Sequence, residues 1–244
     1  RAARVYRPLA EQLVAAAPHP LRGRLVLDAG AGTGLVGEAL AARGARVVAL
    51  DRSHDMLAWR AGERPPAAVG EIGHLPLATA SVDDAAAAFV LNHLPDPAPA
   101  LRELRRVTRP GGTVLASVYA TSFTSPIRDR IDEVAFAHGF TYPEWYRTLK
   151  AEHAPLLGTV ERMTAAARAA GLDPVAVAEY TADLGLDRAE DVVDYRLGQA
   201  HCARWLAALS PARRADVRAA AVAAIEPIMQ PFRPGVIRLV ARRP

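Results

Sequence analysis

The sequence predicts an α/β fold, a mostly parallel sheet with helices on both faces. Three observations carry this. Short apolar runs alternate with helical-period stretches over residues 4–119, a glycine-rich turn follows the first run, and the first two runs stop at carboxylates, Asp28 and Asp51.

The elements follow in order. Val5, Leu9, Leu13 and Ala16 recur at helical spacing before Pro18, so 4–17 reads as a helix. Leu25-Val26-Leu27 is a short buried strand. Residues 35–43 are a helix with Gly44 just past its end. Residues 46–50 form a second strand, 54–60 a short helix, and a third strand ends near Val69. Residues 84–91 read as a fourth strand, although four alanines oppose this on propensity. A helix over 99–107 leads into the tight turn Arg109-Pro110-Gly111-Gly112, and 113–119 is a fifth strand. Right-handed crossovers then bring the strand C-terminal ends to one edge, where ligands bind.

The second half breaks the alternation. Residues 120–158 show no clear period. Residues 159–170 are helical up to Gly171, and 175–182 form a sixth strand. Helices over 189–209 and 211–226 follow, the latter opened by Ser210-Pro211, and 235–241 is a seventh strand. The expectation is one domain over 1–244 with mainly helical insertions at 120–158 and 187–232 that cap the substrate.

Composition bounds the function. Of the 244 residues, 51% are hydrophobic and 23% charged, which is a globular balance. The longest apolar run, Ala85 to Leu91, is far short of the roughly 20 residues of a membrane span. Cys202 stands alone, which excludes an intrachain disulfide or a cysteine-based metal site. No leader pattern is visible, so a cytoplasmic setting is expected, as a monomer or homodimer. Lys150 is the only lysine among 30 basic residues, and the arginines are scattered rather than clustered. That argues against a nucleic-acid face and against a membrane partner.

The strongest local signal is Asp28-Ala29-Gly30-Ala31-Gly32-Thr33-Gly34, placed between a strand and a helix. Glycines let the chain turn sharply and let a ligand approach without Cβ clashes. The helix start adds free N–H groups and partial positive charge. Asp51 ends the next strand, where a carboxylate can accept both hydroxyls of a ribose or open the following helix. Glu71 and Ile72 follow the third strand, and Ile72 can lie against a flat ring. Gly32-Thr33-Gly34-Leu35-Val36-Gly37 also matches the G-x-G-x-x-G string of NAD-type folds, so the loop alone does not decide.

The surrounding pattern does decide. Val26 to Gly34 resembles the first motif of class I S-adenosylmethionine-dependent methyltransferases, small-molecule enzymes similar to the ubiquinone and menaquinone methyltransferases. Val48-Ala49-Leu50-Asp51-Arg52-Ser53 resembles their ribose-binding strand end. Gly70-Glu71-Ile72-Gly73-His74-Leu75-Pro76 is similar to their G-D-A-x-x-L-P segment, with Glu71 in place of Asp. Val82-Asp83-Asp84 with Phe89 to Asp96, and Leu104 to Gly112, resemble the fourth-strand motif and L-x-R-V-L-K-P-G-G. The resemblance runs over about residues 4–119 and implies a Rossmann-like seven-stranded fold and S-adenosylmethionine as cofactor, with S-adenosylhomocysteine as product. It assigns Gly30, Ala31 and Gly32 to the methionine moiety, Asp28 to the loop and amino group, and Asp51 to the ribose. Glu71 and Ile72 flank the adenine, and Arg52, Met56 and Asn92 join the cofactor set. Tyr6 would close over the cofactor from the first helix.

Methyl transfer is an in-line displacement, so the protein must align the acceptor atom and the methyl carbon at roughly 3–3.5 Å. A base can also take a proton from an O–H or N–H acceptor. His93 is the candidate, with His153 and His201 further choices, and no metal is expected. Half of the Phe, Trp and Tyr residues lie within 119–160. Tyr119, Phe123, Tyr142, Trp145 and Tyr146, with Tyr195 and Trp205, are the candidate lining for a flat or apolar small molecule, such as a specialised metabolite. Three alternatives stay open: an NAD-dependent reductase using Tyr146 and Lys150, an RNA or other nucleic-acid methyltransferase, and a non-methylating enzyme of cyclisation or rearrangement type.

Overall fold

The structure, a computed structural model, describes residues 2–244 apart from Arg60, with side chains from Val5 onward. Arg60, the last residue of the expected 54–60 helix, lies outside the described residues. Helix α1 (Ala2–Ala15) precedes β1 (Leu25–Ala29), α2 (Leu35–Ala42), β2 (Arg46–Asp51), α3 (His54–Ala58) and β3 (Ala67–Val69). Then come β4 (Asp84–Ala88), α4 (Ala98–Val107), β5 (Thr113–Tyr119), α5 (Pro126–Ala137) and α6 (Glu144–Thr148). The chain closes with α7 (Val160–Ala169), β6 (Asp173–Thr181), α8 (Ala189–Leu197), α9 (Ala200–Ala208), α10 (Pro211–Ile225) and β7 (Gly235–Arg242).

The strands form one sheet in the order β3-β2-β1-β4-β5-β7-β6. β1 lies parallel between β2 and β4, and β7 runs antiparallel to both β5 and β6. The order reverses direction between β1 and β4, the switch point where open α/β sheets bind ligands. The strand period of two splits β1 between the faces. Val26 joins α1 and α2 in one apolar cluster, whereas Leu27 and Ala29 join α4 and α7 in another. Burial on both faces overrides the weak strand propensity of Ala85 to Ala87, each fully buried.

A third apolar cluster gathers Ile127, Ile131 and Phe140 with Leu184 to Leu197, Val217, Ala221, Ile225 and Phe232. Val5 and Leu9 of α1 enter it, so this helix spans from the sheet to the outer cluster.

Several boundaries differ from the sequence reading. β4 ends at Ala88, and Leu91–His93 form a single helical turn instead of continuing the strand. Phe89 adopts φ 53°, which a strand cannot accommodate. The helix expected over 189–209 breaks at Gly198 and Gln199 into α8 and α9. Residues 120–158 hold α5, α6 and further helical turns over 149–156, although their periodicity is blurred by polar groups on buried faces.

One buried cluster stands at the opposite sheet end from the switch point. Asp84, 1% exposed, accepts from Arg24 Nε at 2.5 Å and from the Thr113 N–H at 2.8 Å, and lies 3.3 Å from His19 Nε2. Removing one partner of a buried pair leaves the other uncompensated. Asp84→Ala is expected to lower unfolding free energy by about 3 kcal/mol, read from urea denaturation midpoints.

Candidate active site

The loop after β1 is built on left-handed backbone. Gly30, Gly32 and Gly34 have φ 70°, 51° and 93°. A Cβ on Gly30 would meet the Val90 side chain at 2.5 Å, so only glycine lets the β1 loop lie against the segment after β4. Gly30 and Ala31 donate to the Leu50 carbonyl at 2.8 and 3.0 Å. Asp51 completes the anchor, its carboxylate accepting from the Gly32 N–H at 2.7 Å and the Ser53 N–H at 2.8 Å. Each oxygen keeps acceptor capacity for a ligand hydroxyl. Met56 reaches over the loop, its Cε 3.3 Å from where a Gly32 Cβ would stand.

Asp28 is buried under this loop. One oxygen accepts from the Gly37 N–H at 2.8 Å, and Gly37 permits that approach because a Cβ would crowd the carboxylate at 3.2 Å. Its other oxygen, Oδ1, is buried with no hydrogen-bond partner, as is Oδ1 of Asn92. Burial pushes the Asp28 carboxyl up to about 7, against the opposing Gly37 hydrogen bond and the Arg64 charge, with Asp51 adding repulsion. Two buried acceptor oxygens beside a glycine loop can each take a hydrogen bond from a donor that enters the site.

Sequence reasoning missed two neighbours of this loop and edge, Arg64 and Phe89. Arg64, from the loop before β3, donates to the Gly32 carbonyl at 2.8 Å and holds the glycine turn from behind. Phe89 packs its ring 4.6 Å from Tyr119 and 6.0 Å from Tyr6. Its positive φ marks a strained position at a site, a signal visible only in coordinates.

The remaining candidates divide into groups. Glu71 is exposed beside β3, whereas Ile72 is buried in the core. His93 sits on an exposed part of the turn after β4, its imidazole pulled below the usual range first by desolvation from the groups packed around the ring and then by the charges of Arg52 and His153. It is therefore neutral and able to accept a proton at neutral pH. Tyr6, Tyr119, Phe123 and Tyr195 join Phe89 and Phe232 in ring contacts near the sheet edge. Tyr142, Tyr146 and Trp205 instead belong to an outer ring cluster with Phe140 and His201, and Trp145, 49% exposed, packs edge-on to Tyr146. His201 is buried and stacked on Tyr146 at 3.9 Å, its pKa pushed down to about 4 chiefly by burial. Among the described residues, no three His, Cys, Asp or Glu side chains gather to hold a metal, and no helix is long and apolar enough to cross a membrane.

This sheet order, with its glycine loop and strand-end carboxylate, resembles that of the class I S-adenosylmethionine-dependent methyltransferases. Residues 27–116 match the family model described as a methyltransferase domain. The malonyl-[acyl-carrier protein] O-methyltransferase of Serratia marcescens is 37% identical over 137 residues, 54% of this chain and 52% of that protein. The demethylmenaquinone methyltransferase of Mycolicibacterium paratuberculosis (strain ATCC BAA-968 / K-10) is 40% identical over 99 residues, 41% of this chain and 43% of that protein. The chain thus spans about half the length of the curated relatives it matches. In fold it is similar to phosphoethanolamine N-methyltransferase 2 of Haemonchus contortus, with TM-score 0.63 and 17% identity over 97% of this chain and 52% of that one.

The raised Asp28 pKa has a definite linkage sign. The folded value of about 7 exceeds the usual 3.8, so the contribution to stability is complete below about 3.8 and is lost as pH rises through about 7. Ligand-free wild type is expected to lose stability relative to Asp28→Asn across that window, read from denaturation midpoints at successive pH values.

Proposed function

We propose that this chain transfers the methyl group of S-adenosylmethionine to a small-molecule acceptor, a specialised metabolite with a flat apolar part, and releases S-adenosylhomocysteine. The glycine loop carries this reading, because its left-handed backbone, the Asp51 anchor and the free Asp28 oxygen all converge at the switch point. The demethylmenaquinone methyltransferases among the relatives, named for a small-molecule acceptor, support this choice.

When bound, the cofactor supplies an activated methyl on a sulfonium, so the protein needs no covalent nucleophile. Asp28 would take the amino group, Asp51 the ribose hydroxyls, and Gly30 to Gly32 with Met56 the methionine moiety. Arg52, Asn92 and Ile72 complete the cofactor walls, with Glu71 at the rim. Tyr6, Phe89 and Tyr119 would hold the acceptor in line. Phe123 and Tyr195 back them, and Tyr142, Trp145, Tyr146 and Trp205 shape the helical segments behind. Neutral His93 would accept the acceptor's proton as the bond to carbon forms.

A mass-shift screen of candidate metabolites with S-adenosylmethionine tests the reading, the expected product being heavier by one methyl group. Asp51→Ala is expected to weaken S-adenosylmethionine binding by about a hundredfold in calorimetry, the loss of two charge-assisted hydrogen bonds. His93→Ala should lower turnover by about a hundredfold or more with cofactor affinity unchanged, whereas unchanged turnover removes the base role.

A further inference from the structure

Arg64 stands in the loop that leads into β3, yet its guanidinium reaches the start of α2. Nη1 donates to the Gly32 carbonyl at 2.8 Å and, more weakly, to the Met56 carbonyl at 3.4 Å. One nitrogen therefore ties the loop after β1 to α3. Cζ and Nε lie 3.3 and 3.4 Å from where a Cβ on Gly34 would stand, so the guanidinium rests on bare backbone at the entry to α2.

The next residue, Pro65, continues along the same side of the helix. Its Cγ is 3.4 Å from the Cβ position on Gly37, and Oδ2 of Asp28 is 3.2 Å from that same position. Gly34 caps α2 and Gly37 follows three residues on, so the two are neighbours on one face. Arg64 and Asp28 thus lie side by side beneath the first turn of α2. Oδ1 of Asp28 and Nε and Nη2 of Arg64 are nevertheless buried without a hydrogen-bond partner among the described residues. Unlike charges that are near but not bonded still attract, and the attraction favours the ionised carboxyl. The other charges facing Asp28 are few. Asp51 at the end of β2 repels it, the strand neighbours Ala49 and Ala86 are apolar, and Glu38 of α2 is paired with Arg7. Arg64 is the cation that opposes them.

We propose that Arg64 is a positioning residue of the cofactor cradle: Nη1 clamps the glycine loop to α3, and the guanidinium charge holds Asp28 as an anion for the ammonium group of the bound cofactor. The proposal rests on the methyltransferase reading and deepens it. The clamp sets the shape of the loop, whereas the charge sets how the cradle responds to pH. Burial holds the Asp28 carboxyl at about 7 even with Arg64 opposing it, so its ionised fraction changes steeply around neutrality. Cofactor affinity therefore rises as pH increases through that range. Without Arg64 the rise moves to higher pH, because burial and Asp51 then act with less opposition.

The test uses the full chain and S-adenosylhomocysteine, titrated by calorimetry from about pH 6 to about pH 9 in wild type, Arg64→Met and Arg64→Lys. The midpoint of the affinity rise should lie about one pH unit higher in Arg64→Met and return toward wild type in Arg64→Lys, which keeps the charge. The amino group of the ligand titrates alike in all cases and cancels from the comparison. At about pH 9, where Asp28 is largely ionised in each protein, Arg64→Met should still bind about tenfold more weakly through loss of the clamp. A purely structural brace lowers affinity equally at every pH and leaves the midpoint unmoved. Carboxyl 13C NMR of the ligand-free protein, with Asp28→Asn identifying the signal, should show the same upward move without any cofactor. Arg64→Gln is the second neutral variant should Arg64→Met fold poorly. An unmoved midpoint and Asp28 signal in the neutral variants, a move that Arg64→Lys does not reverse, or full affinity of Arg64→Met at about pH 9 overturns the proposal. Wild type that binds S-adenosylhomocysteine while the variants show no such move defeats the proposal alone. Wild type that binds none defeats the methyltransferase reading and the cofactor role of Arg64 with it.

Discussion

Gly30 lies against Val90, and from this backbone approach the rest of the site follows. The contact brings the loop after β1 to the segment after β4, across the point where the strand order reverses. Holding it requires a left-handed turn, which Asp51 and Arg64 secure through the N–H and carbonyl of Gly32. It also coincides with the early end of β4, where Phe89 is turned to positive φ and its ring faces Tyr6 and Tyr119. A side chain at Gly30 would therefore disturb both the loop and the aromatic wall, although it touches neither Asp51 nor Tyr119.

The buried polar groups follow two different rules. Around Asp84 and around Asp132, carboxylates are met by guanidinium and backbone or hydroxyl donors, so each desolvated charge has its partners. Asp28 and Asn92 break this rule, each with a buried oxygen left unmatched. Such an oxygen costs stability unless a ligand satisfies it. The Asp132–Arg196 pair also joins α5 to α8, which apolar contact alone would specify less narrowly.

The parallel half was legible because its signals are local. Apolar runs ending in Asp28 and Asp51, and glycines at 30, 32 and 34, need no distant partner to be read, and the glycines do adopt left-handed φ. Residues 120–158 were illegible for the opposite reason. Asp132 is polar yet buried, because its partner Arg196 arrives from 64 residues away. The break between α8 and α9 likewise hid in a continuous helical pattern, and Gly198 was the one available cue. The aromatic candidates looked alike in sequence, whereas the structure sorts them into rings at the sheet edge and rings in the outer cluster.

By itself, the sequence determined the α/β alternation, the glycine loop and its carboxylates, since backbone permissiveness and strand-end placement are properties of short segments. Only the tertiary structure decided which oxygens lack partners, where β4 stops, that Arg64 braces the loop, and that Arg196 meets Asp132. Those outcomes depend on burial and on hydrogen-bond partners distant in the chain, and a linear pattern carries neither.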